Sequence, residues 1–224
     1  MKRTKLAAQA AIKFILGLAF VGGLLFWPAG SLQYYNGWLF IGLLFIPIFL
    51  LGVVLLIKAP NLLEKRLNAK EKESAQKGVV AVSGLSFLVG FVVAGLDFRF
   101  GWSQMPHWVV IAASAVLLIS YGLYAEVMRE NAYLSRTIEV QDGQKVVDTG
   151  LYGIVRHPMY AVTVWMFLSI PLVLGSWWAL LCFAHYPVLM VIRIHNEEKV
   201  LEQELEGYSD YKKRVRYRMI PFIW

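Results

Sequence analysis

Apolar residues in this chain come in long uncharged blocks separated by short basic ones. Phe14 to Ile57 carries no charge, enough for two membrane crossings at about 20 residues each. The block breaks at Trp27-Pro28-Ala29-Gly30-Ser31, and a turn continues to Asn36-Gly37. The pattern predicts a first helix over Lys13–Trp27, a second over Gly37–Ile57, a third over Gly78–Leu96 and a fourth over Trp108–Met128. Pro158 to Ile192 is again uncharged, too long for one crossing and short for two full ones. Two short helices split at Gly175-Ser176 fit that stretch, Pro158–Leu174 and Trp177–Ile192, the second running on into Glu197-Glu198.

The polar connections have their own patterns. Leu62, Leu63 and Leu67 recur at helical spacing within Pro60 to Lys77, which reads as an amphipathic helix on lipid headgroups or as a plain loop. Arg129 to Thr149 holds the turn signal Gln141-Asp142-Gly143-Gln144 and reads as a short extended excursion. Leu201, Leu205, Tyr208 and Tyr211 predict an amphipathic helix interrupted near Gly207. The expected fold is an all-α polytopic membrane protein with about six transmembrane helices, the last two a short hairpin. Residues 1–128 hold four spans and the amphipathic loop 58–77; residues 129–224 hold the hairpin 158–192 and a polar, cytosolic C-terminal segment.

Charge fixes the expected orientation. The 224 residues are 58% hydrophobic and 17% charged, with net charge +7; an ordinary soluble domain is roughly 25% charged. Of the 22 lysines and arginines, all but Arg99 fall on one side if the N-terminus is cytoplasmic. An even number of crossings then leaves both termini in the cytoplasm, as expected of a multi-pass protein of a bacterial or archaeal inner membrane. The basic excess is placed to meet anionic lipid, not nucleic acid. The N-terminal run has no clear small-residue cleavage site and reads as a retained helix. Cys182, the single cysteine, reads as a small core residue. Trp27, Tyr34, Tyr35, Trp38, Trp102, Trp108, Trp177 and Trp178 sit near span ends as interfacial anchors.

Candidate chemistry flanks the last apolar block. Gly150-Leu151-Tyr152-Gly153-Ile154-Val155-Arg156-His157-Pro158-Met159-Tyr160 precedes it, and Arg193-Ile194-His195-Asn196-Glu197-Glu198 follows. A hairpin between them brings both clusters to one membrane face, where they can hold a charged cofactor beside a lipid-like substrate. Pro158 suits a first helical position, since its missing N–H needs no partner there, and the free N–H groups of that turn favour an anion. Arg156 and His157 either serve such a site or only anchor and cap the helix. Arg193 and Glu197 share a helical face. They form either an exposed ion pair of little weight, or a site in which Glu197 and Glu198 accept ribose or adenine hydrogen bonds and Arg193 grips a carboxylate.

Other polar residues carry less. His185 reads as a hydrogen-bonded core residue, Asp97 and Arg99 as a pair near the outer face, and Glu126, Arg129 and Glu130 as a solvated helix end or as groups that reach the pocket. The basic tail Lys212 to Arg218 either lies on anionic lipid or acts as a lid whose tyrosines close the pocket. No Cys/His spacing suggests a metal, and no Gly-rich phosphate loop follows a strand.

Together these residues resemble the isoprenylcysteine carboxyl methyltransferases and the related membrane phospholipid methyltransferases. The likeness runs from roughly Ser135 to Phe222. It rests on Gly150-x-Tyr152, Arg156-His157-Pro158-x-Tyr160, Arg193-x-x-x-Glu197-Glu198, Gly207-Tyr208 with Tyr211, and Pro221-Phe222. Ala161-Val162 departs from it, since relatives often have glycine after the tyrosine. The resemblance implies a cytosol-facing S-adenosylmethionine site. Tyr152, His157, Pro158, Met159 and Tyr160 would contact the cofactor, Gln144, Lys145, Val146 and Val147 would line it, and Glu197 would hold its nucleoside part. Arg193 would bind the acceptor carboxylate, and Glu198 or His157 would serve as base if the nucleophile were an amine. The implied acceptor is an amphiphilic small molecule or a prenylated group. Phospholipid N-methylation, a nicotinamide-dependent sterol-type reductase sharing Arg-His-Pro-x-Tyr, and a small transporter or scaffold are the competing readings. The Glu197-Glu198 pair counts against the reductase, because it would repel a phosphorylated dinucleotide.

Overall fold

The computed structural model describes residues 3–68, 74–134 and 140–224. The far part of the expected amphipathic segment (69–73) and the start of the excursion and of the family likeness (135–139) lie outside the described residues. The described residues form helices joined by turns and irregular segments, without strands. Chain order is α1 (Arg3–Ala29), α2 (Tyr35–Lys58), α3 (Pro60–Asn68), α4 (Ser74–Phe100), α5 (His107–Glu130), a 3-10 turn (Gly150–Gly153), α6 (Pro158–Val173), α7 (Trp177–Phe183), α8 (Tyr186–Glu204) and α9 (Tyr208–Arg214).

Among the described residues, five segments are long and apolar enough to cross a membrane: α1, α2, Lys77–Phe100 within α4, α5, and Trp177–Glu204 spanning α7 and α8. The sixth expected span, α6, has 16 residues. At 1.5 Å per residue it is about 24 Å long, less than a hydrocarbon core of about 30 Å. Two boundaries differ from the pattern. α1 begins near Arg3, well before the predicted Lys13, so the basic N-terminus is itself helical. The second arm of the hairpin is two helices, not one. Pro187 stands in the first turn of α8, where its missing N–H and its ring exclude a continuous helix from α7.

The main core joins Leu25, Phe40, Phe91, Leu117, Ile170 and Phe183 from α1, α2, α4, α5, α6 and α7. Phe87 meets Phe167 and Phe183 edge-on, with centroids 4.6 Å and 5.2 Å apart. The outward faces of α1, α2 and α5 carry exposed Ile, Leu, Phe and Trp, as a lipid-facing surface requires.

One end of the bundle is closed by a polar latch. Tyr34 donates to the Leu174 carbonyl at 2.7 Å. Asp97 accepts from the Ser103 N–H and hydroxyl at 2.6 Å each, and from the Ser176 hydroxyl. Tyr34 is therefore buried and not the interfacial anchor its position predicts, because its hydroxyl ties the α1–α2 turn to the α6–α7 turn. Nor does Asp97 pair with Arg99: the serines take its oxygens, and Arg99 lies over the Phe100 ring at 5.6 Å. His185 behaves as the core residue expected, bonded to Ser86 of α4 at 2.8 Å.

Candidate functional site

At the other end, four segments far apart in sequence meet: the end of α5 with its excursion, the 3-10 turn leading to α6, the end of α8, and the tail. α5 ends at Asn131, whose side-chain oxygen accepts the Tyr133 N–H at 3.0 Å and whose amide donates to the Tyr152 hydroxyl at 3.1 Å. The excursion folds back through the turn predicted at 141–144, closed by Gln144 N–H to Gln141 O at 2.9 Å. Gln141 also donates to the Tyr133 carbonyl at 2.6 Å. Excursion and tail share a small core of Leu205, Tyr208, Tyr211 and Val215 with Val140, Val146 and Leu201.

Gly150 begins the 3-10 turn at φ +53°, and the carboxylate of Glu130 fills the space where a Cβ would stand. Glu130 accepts the Leu151 N–H at 2.9 Å and so positions the motif, whereas Glu126 and Arg129 form the exposed pair of a solvated helix end. Gly150→Ala should cost about 1–3 kcal/mol in backbone strain and about 1 kcal/mol more in the displaced hydrogen bond. A thermal melt of the detergent-solubilised variant measures this; an unchanged midpoint would show that the turn tolerates a side chain.

Arg156 and His157 are buried. Their backbone N–H groups donate to the Tyr217 and Arg218 carbonyls at 2.9 and 2.8 Å, so the tail runs alongside the motif. Arg156 reaches Glu198 Oε1 through Nε and Nη2 at 2.8 Å each, and Nη1 donates to the Val215 and Arg216 carbonyls at 2.7 and 2.8 Å. The His157 ring lies 3.2 Å from Glu198 and 3.9 Å from Glu197 and does not cap α6. Arg218 donates to the other Glu198 oxygen at 3.0 Å. Headgroup anchoring by Arg156 and helix capping by His157 are therefore replaced by a buried cluster centred on Glu198. That cluster also holds down the basic tail.

In front of it opens a cleft of about 90 Å³. Gln144, Lys145, Val146, Val147, Tyr152, His157, Met159, Tyr160 and Glu197 all line it. Pro158 does not; it occupies the first turn of α6. Arg193 and Glu198 also stand outside the lining. Glu198 is consumed by the cluster behind. Arg193 lies one layer back, its Nε donating to the Tyr160 hydroxyl at 2.9 Å and its guanidinium 5.7 Å from that ring. Tyr160 in turn stacks on His157, with centroids 5.8 Å apart.

The chain reading did not place Asn131, Tyr133 and Leu134 in the lining, nor Leu201 and Leu205. Leu201 and Leu205 show in the sequence only as part of an amphipathic helix, and Asn131, Tyr133 and Leu134 only as neighbours of the α5 end. Tyr208 and Tyr211 of the tail also line the cleft. Tyr211 donates to the Tyr152 carbonyl at 2.7 Å. Burial pushes the phenols of Tyr152 and Tyr208 above their ordinary range, and for Tyr208 the carboxylates of Glu198 and Glu197 add to it. Both stay neutral hydroxyls. Two cleft atoms, Glu197 Oε2 and the Tyr208 hydroxyl oxygen, are buried without a hydrogen-bond partner in the protein, Glu197 Oε2 lying 3.9 Å from His157 Nδ1.

Comparison with known proteins agrees with this geometry. Residues 108–206 match the family model of the phospholipid methyltransferases. The likeness to that membrane methyltransferase family covers 99 of the 224 residues. The matched region contains α5, the excursion, the motif, α6, α7 and α8, and it ends just before α9. A 101-residue stretch is 30% identical to the uncharacterized protein YpbQ of Bacillus subtilis (strain 168), covering 45% of this chain and 60% of that protein. A 91-residue stretch is 31% identical to the Delta(14)-sterol reductase of Mus musculus, covering 39% of this chain and 22% of that protein. The matches thus span less than two thirds of either relative.

Proposed function

We propose that this protein is an integral membrane methyltransferase that uses S-adenosylmethionine and methylates a lipid-like or prenylated acceptor, with a carboxylate as the nucleophile. The observation that carries this reading is the cleft itself. Residues of both polar clusters line it, Arg156 and His157 from one and Glu197 from the other, and Glu197 Oε2 has no hydrogen-bond partner in the protein. The donor set suits the cofactor: a carboxylate to accept nucleoside hydrogens, tyrosines to pack on a cation, and Val146, Leu201 and Leu205 as apolar wall. S-adenosylmethionine would supply an activated methyl on a sulfonium. Glu197 binds its nucleoside part, and Tyr152, His157, Met159 and Tyr160 orient it. Gln144, Lys145, Val146 and Val147 cover it. With the methyl already activated, alignment and exclusion of water are what the protein must add.

Arg193 reads the acceptor's carboxylate from behind Tyr160. Glu198 is a positioning residue: it orients His157 and fastens the tail. If the acceptor is an amine, as in phospholipid N-methylation, His157 is the base that remains, since Arg156, His157 and Arg218 already surround Glu198. The site faces the cytoplasm, on the charge distribution of the loops.

Calorimetry with detergent-purified protein tests the cofactor assignment. Wild type should bind S-adenosylmethionine, and Glu197→Ala should weaken it on the order of ten- to a hundredfold, the worth of a hydrogen bond to a charged group. Unchanged affinity would remove Glu197 from the site. A second reading, a nicotinamide-dependent reductase, is supported by the likeness to the Delta(14)-sterol reductase. Binding of a reduced nicotinamide dinucleotide in place of S-adenosylmethionine would establish it.

A further inference from the structure

The two unpartnered oxygens in the cleft are complementary. Glu197 Oε2 only accepts, whereas the Tyr208 hydroxyl can donate. Burying a polar atom without a partner costs free energy, and close packing does not explain why this phenol should be a tyrosine and not a phenylalanine. Its neighbour on α9 makes the contrast. The Tyr211 hydroxyl is spent on the Tyr152 carbonyl at 2.7 Å, while the Tyr208 hydroxyl is left over and its residue lines the cleft. The ring is firmly placed. Gly207, at φ +82°, turns the chain into α9, and Leu205, Tyr211 and Val215 pack around Tyr208. Residue 208 lies beyond residue 206, where the family match ends.

We infer that Tyr208 is a ligand-binding residue, its hydroxyl donating one hydrogen bond to a nucleoside edge whose adjacent hydrogen Glu197 accepts. The inference rests on the S-adenosylmethionine reading above. Adenosine presents such a donor–acceptor pair on its ribose diol and on the amino–ring-nitrogen edge of its adenine. The family region supplies the acceptor and the tail supplies the donor. The site is therefore complete only when the tail is docked, and that docking runs through Arg156, Glu198 and Arg218.

Tyr208→Phe separates this role from a structural one. The hydroxyl has no protein bond to lose, so the ligand-free variant should melt at the wild-type temperature or above it. Its affinity for S-adenosylhomocysteine, measured by calorimetry, should fall about three- to tenfold, the worth of one neutral hydrogen bond. Two modified probes locate the edge. S-inosylhomocysteine alters the adenine edge, and a 2′,3′-dideoxy S-adenosylhomocysteine removes the diol. The probe whose penalty shrinks in the variant marks the group that Tyr208 contacts. Unchanged affinity for all three ligands would overturn the inference, as would a lowered ligand-free melting temperature that accounts for the loss. A wild-type protein that ignores S-adenosylhomocysteine would instead overturn the methyltransferase reading itself.

Discussion

Replacing Glu198 by alanine is expected to destabilise the protein by about 3–5 kcal/mol and to abolish ligand binding, although Glu198 does not line the cleft. The physical reason is the company it keeps. Its carboxylate is 4% exposed as a residue and receives Arg156, the His157 ring and Arg218. Removing one partner of a buried ion pair leaves the others without compensation, which costs about that amount. The loss has a defined place. Arg156 also donates to the Val215 and Arg216 carbonyls, and the backbone of 156–157 pairs with the tail. A misplaced Arg156 therefore frees the tail, and Tyr208 and Tyr211 leave the cleft with it. Limited proteolysis beside a thermal melt checks this: cleavage should appear in the basic stretch from Lys212 to Arg218. A stable variant with a protected tail would show that the cluster is dispensable. Glu198→Gln should be milder, since its amide oxygen still accepts one of the donors.

Arg193→Ala is expected to lower kcat/KM for the acceptor by about a hundredfold or more while changing cofactor affinity less than about threefold. Truncating one member of a buried, charge-assisted pair costs about 2–5 kcal/mol, and that loss should fall on the acceptor if its carboxylate is the partner. The competing role is local. Arg193 donates to the Tyr160 hydroxyl at 2.9 Å, and Tyr160 both lines the cleft and stacks on His157. An arginine that only props Tyr160 would lose cofactor affinity together with transfer. Calorimetry with S-adenosylmethionine, set beside label transfer from it into membrane lipids, separates the two. Equal losses in both would reassign Arg193 from acceptor to scaffold. Arg193→Lys keeps the charge but not the planar fork, so it should recover transfer only in part.

Much of the architecture was legible along the chain because membrane helices announce themselves. A hydrocarbon solvent demands about 20 apolar residues per crossing, and the uncharged blocks place α2, α4 and α5 within a few residues of where they lie. The two flanking clusters were legible for a related reason. Charge excluded from the spans gathers at their ends, and a break such as Gly175-Ser176 turns the chain back. Convergence of His157 with Glu197 and Glu198 follows from connectivity alone, and nine of the ten cofactor candidates (all but Pro158) line a common cleft.

Sequence by itself thus determined which segments are apolar, where the chain reverses and which polar groups share an end of the bundle. Tertiary structure decided what each polar group does there. Adjacent residues Glu197 and Glu198 read alike in the sequence. Packing turns one toward the cleft and the other into a cage of cations, because successive residues on a helix point about 100° apart. Tyr208 and Tyr211 likewise read as one amphipathic stripe, yet one hydroxyl is spent on the Tyr152 carbonyl and the other has no hydrogen-bond partner in the protein. Tyr34 read as an interfacial anchor and Asp97 as the partner of Arg99, yet both form a buried latch with turns far along the chain. Hydrophobic pattern is a local property; the partners of a buried polar atom are set by which distant backbone happens to pass within hydrogen-bonding reach of it.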